Sequence, residues 1–214
     1  MVPDLHAPFI RDGALEFLVQ TYHEYDCNEV VFIGDIMDNH YSSFHDSDPD
    51  GLGARRELDM AISQLRDFSI AFPDARVCIG NHDAIPARKA FSSGVSGAWV
   101  KSMKEVMLDY GLPVDGWDFA EHHVIDGVKY VHGIGRQAKP RMIYDGESIV
   151  QGHWHARSSI EWLVNAHKKT FAMQVGALID DNAYAMAYAK HFPKSHKNCG
   201  LVLDGTPILK YMDL

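Results

Sequence analysis

Residues 28–38, which read NEVVFIGDIMD, give the clearest indication of the fold. Four apolar residues in a row are followed by Gly34 and Asp35, and Asp38 comes three residues later. A short apolar run that ends in glycine is typical of a strand buried on both faces of a parallel sheet. Carboxylates directly after such a strand lie at its carboxyl end, where open α/β sheets bind their ligands. The stretch therefore predicts an α/β fold with a polar site at the strand ends.

The first half of the chain alternates helical and strand patterns. Apolar residues spaced three and four apart predict one helix that Asp12 caps and a second helix over 58–68. ARVCIG (75–80) predicts the next buried strand, and KSMKEVMLDYG (101–111) predicts a further helix. The turn-rich stretch 40–53 predicts a loop between the first strand and the second helix.

The second half has the turn residues and the alternation of β-hairpins. HHVIDGVKYVHG (122–133) predicts a hairpin about its Asp-Gly pair, and ESIVQGHWH (147–155) predicts a short strand. Hairpins are also predicted over 159–176 and 200–212, so this half should be mostly antiparallel. We therefore expect one α/β domain over residues 1–214, a four-layer αββα sandwich of two mixed sheets flanked by helices.

The composition limits the class of function. The net charge of −9 argues against a broad non-specific grip on nucleic acid, which needs basic surface. The sequence contains no apolar run of about 18 residues, so we expect no membrane span. It also lacks a basic region followed by an apolar stretch, so we expect no signal peptide. Three widely spaced cysteines, Cys27, Cys78 and Cys199, favour a reducing compartment, and we expect a cytoplasmic protein.

Polar residues that can bind metal recur at the predicted strand ends. They are Asp4 and His6 in PDLH, Asp35 and Asp38 in GDIMD, Asn81 and His82 in GNHD, His132 in VHG, and His153 and His155 in GHWH. Imidazole, carboxylate and amide oxygen suit divalent manganese, iron or zinc. Residues i and i+2 of an extended segment point to the same side, so the two polar side chains of Asp-x-His, and likewise of His-x-His, can bind at one site. The groups outnumber the ligands of one open catalytic ion, which favours two ions that share a carboxylate.

Taken in order, these five motifs resemble the calcineurin-like metallophosphoesterase superfamily. The resemblance implies two ions at the carboxyl ends of the strands, with Asp35 bridging them. The other ligands it implies are Asp4, His6 and His155 for one ion, and Asn81, His132 and His153 for the other. By the same resemblance, His82 would face the substrate as an acid or as a donor to the phosphoryl oxygens, and Asp38 would orient His82.

Two cations make chemical sense for a phosphoester, whose negative charge repels hydroxide. Cations about 3.5–4 Å apart neutralise that charge, lower the pKa of a bridging water and align in-line attack. A histidine held by a carboxylate can protonate the leaving alkoxide. The sequence therefore predicts a phosphoesterase in which a metal-bridging hydroxide hydrolyses phosphodiesters of a nucleotide or a related small molecule. Manganese is the expected ion, with iron, zinc, nickel and cobalt as alternatives.

Alternative functions stay open. A broad phosphomonoesterase or protein phosphatase would use the same centre, but Asn39 stands where the protein phosphatases carry a phosphate-binding arginine. The repair nucleases of the superfamily often have a histidine where this chain has Asp38. A catalytically silent scaffold would not need the full set of ligand types. A nucleic-acid-binding module is disfavoured by the acidic balance and by the lack of an aromatic–basic stripe. His40 and Arg136 are candidate substrate contacts.

Overall fold

The structure is a computed structural model that describes residues 1–44, 50–183 and 194–213. Part of the predicted loop 40–53 therefore lies outside the described residues. The helices are α1 (Ala14–Glu24), α2 (Ala54–Ala71), α3 (Ile85–Ser92), α4 (Met103–Asp109) and α5 (Ala138–Asp145), with short 3-10 helices at His40–Ser42 and Gly97–Trp99. The strands are β1 (Val31–Phe32), β2 (Asp74–Cys78), β3 (Gly116–Ala120), β4 (His122–Ile125), β5 (Val128–Val131), β6 (Ser148–Gln151), β7 (Ser159–Val164), β8 (Lys169–Gln174), β9 (Asn198–Leu203) and β10 (Thr206–Tyr211).

The strands form three sheets, and the protein is of the mixed α/β class, as the sequence predicts. One sheet has the order β1-β2-β3 with parallel neighbours. A five-stranded mixed sheet has the order β4-β5-β6-β8-β7, in which β5, β6 and β8 are parallel. Its outer strands β4 and β7 are antiparallel to their neighbours, and β9 pairs with β10 as a separate hairpin.

The three predicted hairpins are confirmed. β4 and β5 join through Asp126 and Gly127, which have φ values of 50° and 74°. Both residues adopt the left-handed conformation that a tight two-residue turn requires, and Asp-Gly supplies it at low cost. β7 pairs with β8 over the segment 159–174, and β9 pairs with β10 over 198–211.

Two local expectations for the first half are wrong. The residue before α1 is Gly13, at φ 78°, and no side chain caps the helix, so Asp12 is not its cap. β1 has only two residues, although Val30 to Asp35 are all buried. The chain leaves β1 early because the segment after it pairs with residues 4–7 through single bridges and backbone hydrogen bonds.

The second half is less antiparallel than predicted, because helix α5 crosses between β5 and β6 and makes the central strands parallel. Helix α5 is not predicted from the sequence, because its Pro140 is a residue that usually breaks helices. Proline is tolerated in the first turn of a helix, where its missing N–H costs nothing. β3 was missed as well, at the end of the irregular stretch before residue 116.

The sheet of β1–β3 is buried on both faces. Phe32 and Val77 pack in an apolar core with helices α1 and α2. Their neighbours Val31, Ile33 and Cys78 pack on the other face with strands of the five-stranded sheet. Alternate residues of a strand point to opposite faces, so a continuous apolar run can fill two cores at once. A smaller core joins α5 to β6 and β8.

None of the helices in the described part of the chain is long and apolar enough to cross a membrane. The three cysteines are free thiols.

Candidate metal centre

Five segments of the chain converge where strands end. Residues 4–7 lie against the segment after β1, since the N–H groups of Leu5 and His6 both donate to the Asp35 carbonyl, at 3.1 and 2.8 Å. The remaining candidate residues follow the carboxyl ends of four strands: Asp35 after β1, Asn81 and His82 after β2, His132 after β5, and His153 and His155 after β6. The fold therefore brings together residues that are up to 151 positions apart in sequence, from Asp4 to His155.

Asp4, His6 and His155 form one group of donor atoms, all within 4.8 Å of one another. The Nε2 atoms of His6 and His155 face each other at 3.1 Å, and His155 Nε2 lies 3.2 Å from Asp4 Oδ2. His6 Nδ1 donates to Asp38 Oδ1 at 2.6 Å. A carboxylate in this position fixes the ring and leaves the Nε2 lone pair for a metal ion.

Asp35, His132 and His153 form a second group within the same 4.8 Å limit. His132 Nε2 lies 3.1 Å from Asp35 Oδ2 and 3.0 Å from Asn81 Oδ1. His132 Nδ1 donates to the Ile33 carbonyl at 3.2 Å, which again leaves Nε2 for the shared space. Asn81 therefore belongs with this group.

The carboxylate of Asp35 lies between the two groups. Its Oδ2 is 3.1 Å from His132 Nε2 and 3.8 Å from His6 Nε2. Its Oδ1 accepts a hydrogen bond from the backbone N–H of His82 at 2.8 Å. One oxygen thus faces both groups while the other fixes the orientation of the side chain.

The electrostatics of the cluster fit a bound cation. Lone pairs of Asp35, Asn81 and His132 converge on one small space, and they repel unless a proton or a metal ion lies between them. Burial opposes charge on His132, but Asp35 and Asp4 raise its pKa to about 9. Burial likewise opposes charge on Asp35, but His132 and His6 lower the pKa of its carboxyl.

Asp4 gives a second test of the fit. Its side chain is fully buried, and Oδ1 accepts no hydrogen bond from any described residue. Its Oδ2 accepts the backbone N–H of His153 at 2.8 Å. A buried carboxylate oxygen without a partner is costly, and a metal ion is one of the few groups that would satisfy it.

The backbone of the cluster is held in an unusual conformation. His6, Asp35 and His153 have φ values of 54°, 46° and 71°, which lie in the left-handed region. Asp and His tolerate this region better than most residues, but it still costs stability, on the order of 1 kcal/mol each. Such residues concentrate at functional sites, where the surrounding structure imposes the conformation.

Two glycines of the motifs allow the backbone to pack against the carboxylates. A Cβ atom on Gly80 would lie 2.1 Å from Asp35 Oδ1, and one on Gly152 would lie 2.3 Å from Asp4 Oδ1. A side chain at either position would force a neighbouring group to shift. Glycine is therefore favoured before Asn81 and before His153, because the carboxylates of Asp35 and Asp4 occupy that volume.

His82 is not a member of these two groups, but it forms a third group of potential ligand atoms with His6 and Asp38, within the same 4.8 Å limit. Its Nδ1 donates to the backbone carbonyl of Asp38 at 2.7 Å, whereas the Asp38 carboxylate is 3.4 Å away. Asp38 therefore reaches His82 mainly through its backbone, and its carboxylate serves His6. Burial lowers the pKa of His82, but Asp35 and Asp38 more than compensate and raise it.

The Asp83 carboxylate connects the GDIMD and GNHD motifs by hydrogen bonds. Its Oδ1 accepts the N–H of Met37 at 3.0 Å, and its Oδ2 accepts the N–H of Gly80 at 2.9 Å. Burial and the charge of Asp35 raise its pKa to about 7. The only sequence signal for this role is the position of Asp83 in GNHD, directly after His82.

The two candidate substrate contacts are placed apart from the donor groups. His40 is buried at the start of a 3-10 helix. Arg136 is exposed, and its guanidinium lies 4.5 Å from the ring centre of Tyr144. Neither residue contributes to the donor groups described above.

The sequence was compared with protein-family models and with curated proteins, and nothing matches in either comparison. The function must therefore be inferred from the site and its motifs.

Proposed function

We propose that this protein is a dinuclear metal-dependent phosphoesterase that hydrolyses phosphodiesters, a member of the calcineurin-like metallophosphoesterase superfamily that its motifs resemble. The observation that supports this best is the position of Asp35, whose Oδ2 faces one group of ligands at 3.1 Å and the other at 3.8 Å. A carboxylate shared in this way is what a two-ion centre requires. A single structural ion would need a closed set of about four ligands instead.

The proposed ligands follow the two donor groups. Asp35 would be shared, and the others are Asp4, His6 and His155 on one side, and Asn81, His132 and His153 on the other. When bound, two divalent cations would neutralise the phosphoryl charge and lower the pKa of a water molecule between them. Manganese is the expected ion, and iron, zinc, nickel or cobalt would also suit these donors.

The protein's own groups would then orient the substrate and supply a proton. The Nδ1 of His82 is occupied by the Asp38 carbonyl, so Nε2 is the nitrogen left to donate to the leaving oxygen. The His82 side chain is 17% exposed, so substrate can reach it. Asp83 would keep His82 in place by fixing the turn on which it lies.

The proposal includes the architecture around the site. We propose that residues 1–214 form one domain with the layer order helix, sheet, sheet, helix. The apolar cores on both faces of β1–β3 and between α5 and the five-stranded sheet support this order. The free thiols of the three cysteines support a reducing compartment such as the cytoplasm.

The test is a paired assay with added manganese on purified protein. Bis-p-nitrophenyl phosphate and p-nitrophenyl phosphate report diester and monoester hydrolysis, and metal content is measured on the same samples. We expect bound metal and faster diester cleavage. Asp35→Asn should lose both ions and at least about 100-fold in activity, because even indirect support of a ligand is worth roughly 10–100-fold.

Asp118→Asn is the matched control, because the Asp118 carboxylate is 74% exposed and lies outside the cluster. Faster monoester cleavage would identify a phosphatase instead. No hydrolysis of either ester and no bound metal would reject the enzyme and favour a scaffold of the same fold.

A further inference from the structure

The segment Ala84–Lys104, which directly follows Asp83, differs from the rest of the protein in charge. It contains four cationic residues and no Asp or Glu, in a chain with a net charge of −9. Two of these cations have partners, since Lys101 pairs with Asp109 and Lys104 donates to the Trp117 carbonyl. The other two are Arg88 and Lys89 on α3, and they lie at the protein surface.

The same segment exposes large apolar side chains. All residues from Phe91 to Trp99 are exposed, and the Phe91 and Trp99 side chains are each 85% exposed. Phe91 lies on α3 and Trp99 on the adjoining 3-10 helix, which contacts α3. Exposed aromatic residues that lie together usually mark a binding surface.

Phe44 adds a third exposed aromatic ring to this surface, against the two cations of α3. The Arg88 guanidinium lies 4.9 Å and the Lys89 ammonium 4.4 Å from the centre of its ring. We name Phe44, Arg88, Lys89, Phe91 and Trp99 the rim. Phe44 is six residues from Asp38, and Arg88 is six residues from His82. Six residues span at most about 20 Å, so Phe44 and Arg88 lie within about that distance of Asp38 and His82, respectively.

We propose that the rim binds single-stranded nucleic acid and presents its phosphodiester backbone to the metal centre. Proteins that bind single strands combine cations for the phosphates with aromatic rings on which unpaired bases stack. The rim offers both on neighbouring elements. Cleavage of the bound strand rests on the proposed function, whereas binding of the strand does not depend on it.

The charge of the whole chain does not conflict with this inference. A net charge averages over the surface, whereas binding depends on the local potential. The charged residues of the segment Ala84–Lys104 are all cationic, although Asp46, Asp48 and Asp50 follow Phe44 in the sequence. Bound cations in the centre would add to this local positive potential. An acidic peptide would satisfy Arg88 and Lys89 but would leave Phe91 and Trp99 unused. A duplex would keep its bases stacked inside and unavailable to those rings.

The test measures binding in EDTA, so that no strand is cleaved. A fluorescein-labelled oligothymidylate of about 20 nucleotides is longer than most single-strand sites, and its anisotropy is followed at low salt. The aromatic variant is Phe91→Ala with Trp99→Ala, and the cationic variant is Arg88→Ala with Lys89→Ala. The control is Trp162→Ala with Lys169→Ala, a cation–aromatic pair 3.9 Å apart on β7 and β8, away from the rim.

We expect wild type and the control to bind alike. The aromatic variant should bind roughly 10-fold or more weakly, since one base stacked on a ring is worth about that much. The cationic variant should reduce the magnitude of the slope of log K against log salt by about 1.4, because it removes two phosphate contacts and each contributes about 0.7 on a single strand. Circular dichroism spectra should be unchanged, because the rim residues substituted are at the surface.

Three results would overturn the inference. They are an absence of binding by wild type at low salt, equal binding by the rim variants and wild type, and equal affinity for the single strand and for a duplex or polyglutamate. Equal binding of polyglutamate would identify an acidic protein partner instead. Loss of phosphodiester hydrolysis alone would reject only the proposed function, because the binding measurement needs neither metal nor turnover.

Discussion

The candidate metal centre and the rim are formed by the chain in opposite ways. The centre takes its groups from five separated segments, and Asp4, Asp35 and His132 are at most 1% exposed. The rim takes four of its five residues from one continuous segment, and its two outermost side chains are 85% exposed.

The difference follows from what each region would bind. Metal ions require donor atoms fixed to fractions of an ångström, so the centre lies on strand ends and uses left-handed backbone and glycines against carboxylates. A flexible strand adapts its own shape, so the rim needs only to present rings and charges. Changes in the centre should therefore affect chemistry and folding together, whereas changes in the rim should affect binding alone.

Among substitutions outside the proposed metal ligands, His82→Asn should have the largest effect on the rate. We expect the rate of diester hydrolysis to fall by roughly 10²–10⁴, which is the range for a lost proton donor. Metal content should be retained, because His82 belongs to neither proposed ligand group. Metal analysis and steady-state rates check this, with exposed His122→Asn as the control. Loss of metal in His82→Asn would make His82 a ligand.

Substitution of two tryptophans compares how much the core and the rim contribute to stability. Trp117 is fully buried, and its indole N–H donates to the Phe72 carbonyl at 2.8 Å. Trp117→Ala should lower the free energy of unfolding by about 3–5 kcal/mol, because it leaves a large cavity. Trp99→Ala should change it by less than about 0.5 kcal/mol. Urea unfolding followed by circular dichroism compares them, and a large loss in Trp99→Ala would show that the rim is structural.

Glu57 of α2, which is buried and affected by the charge of Asp38, should make stability depend on pH. The residue is 4% exposed, and its carboxylate accepts the N–H of Tyr41, just before Phe44. Burial, and then the charge of Asp38, raise its pKa from 4.5 to about 7. The folded protein therefore holds a proton that the unfolded chain has lost, so this carboxyl lowers stability as pH rises from about 4.5 to 7.

Glu57→Gln should remove this dependence. A pKa difference of this size corresponds to at most about 3 kcal/mol in the free energy of unfolding. The variant should be more stable than wild type by up to this amount above pH 7, and the difference should vanish below pH 4.5. Urea unfolding of both proteins in EDTA across this range checks it. A gain that is the same at every pH would assign the effect to packing rather than to the proton.

The smallest effect is expected in a comparison of stability between two glycine substitutions. Gly80→Ala places a Cβ atom 2.1 Å from Asp35 Oδ1, and overpacking of this kind costs about 1–3 kcal/mol. Gly97→Ala, in the 3-10 helix that carries Trp99, meets no atom within 4 Å and should cost less than about 0.5 kcal/mol. Thermal unfolding compares the two, and equal losses would mean that the backbone at Asp35 can relax.

Much of the fold could be predicted because its signals are local. The Asp126–Gly127 turn, the apolar period of α2 and the hairpin of β7 and β8 each depend on residues within one short stretch. The errors arose where local rules compete. Pro140 reads as a breaker but lies in the first turn of α5, and Gly13 takes the position predicted for the cap.

The mixed α/β class and the set of polar residues at strand ends could be predicted from the sequence alone, because a strand, its closing glycine and the carboxylate after it are contiguous. Which of these residues meet depends on the tertiary packing. The 3.1 Å approach of Asp35 to His132 and the role of the Asp38 carbonyl beside His82 depend on how separate strands are packed. The rim depended on packing as well, because Phe44 and Arg88 are 44 residues apart and form one surface only where α3 lies beside the segment after Asp38. Distances across the chain are set by the core, which no short stretch of sequence contains.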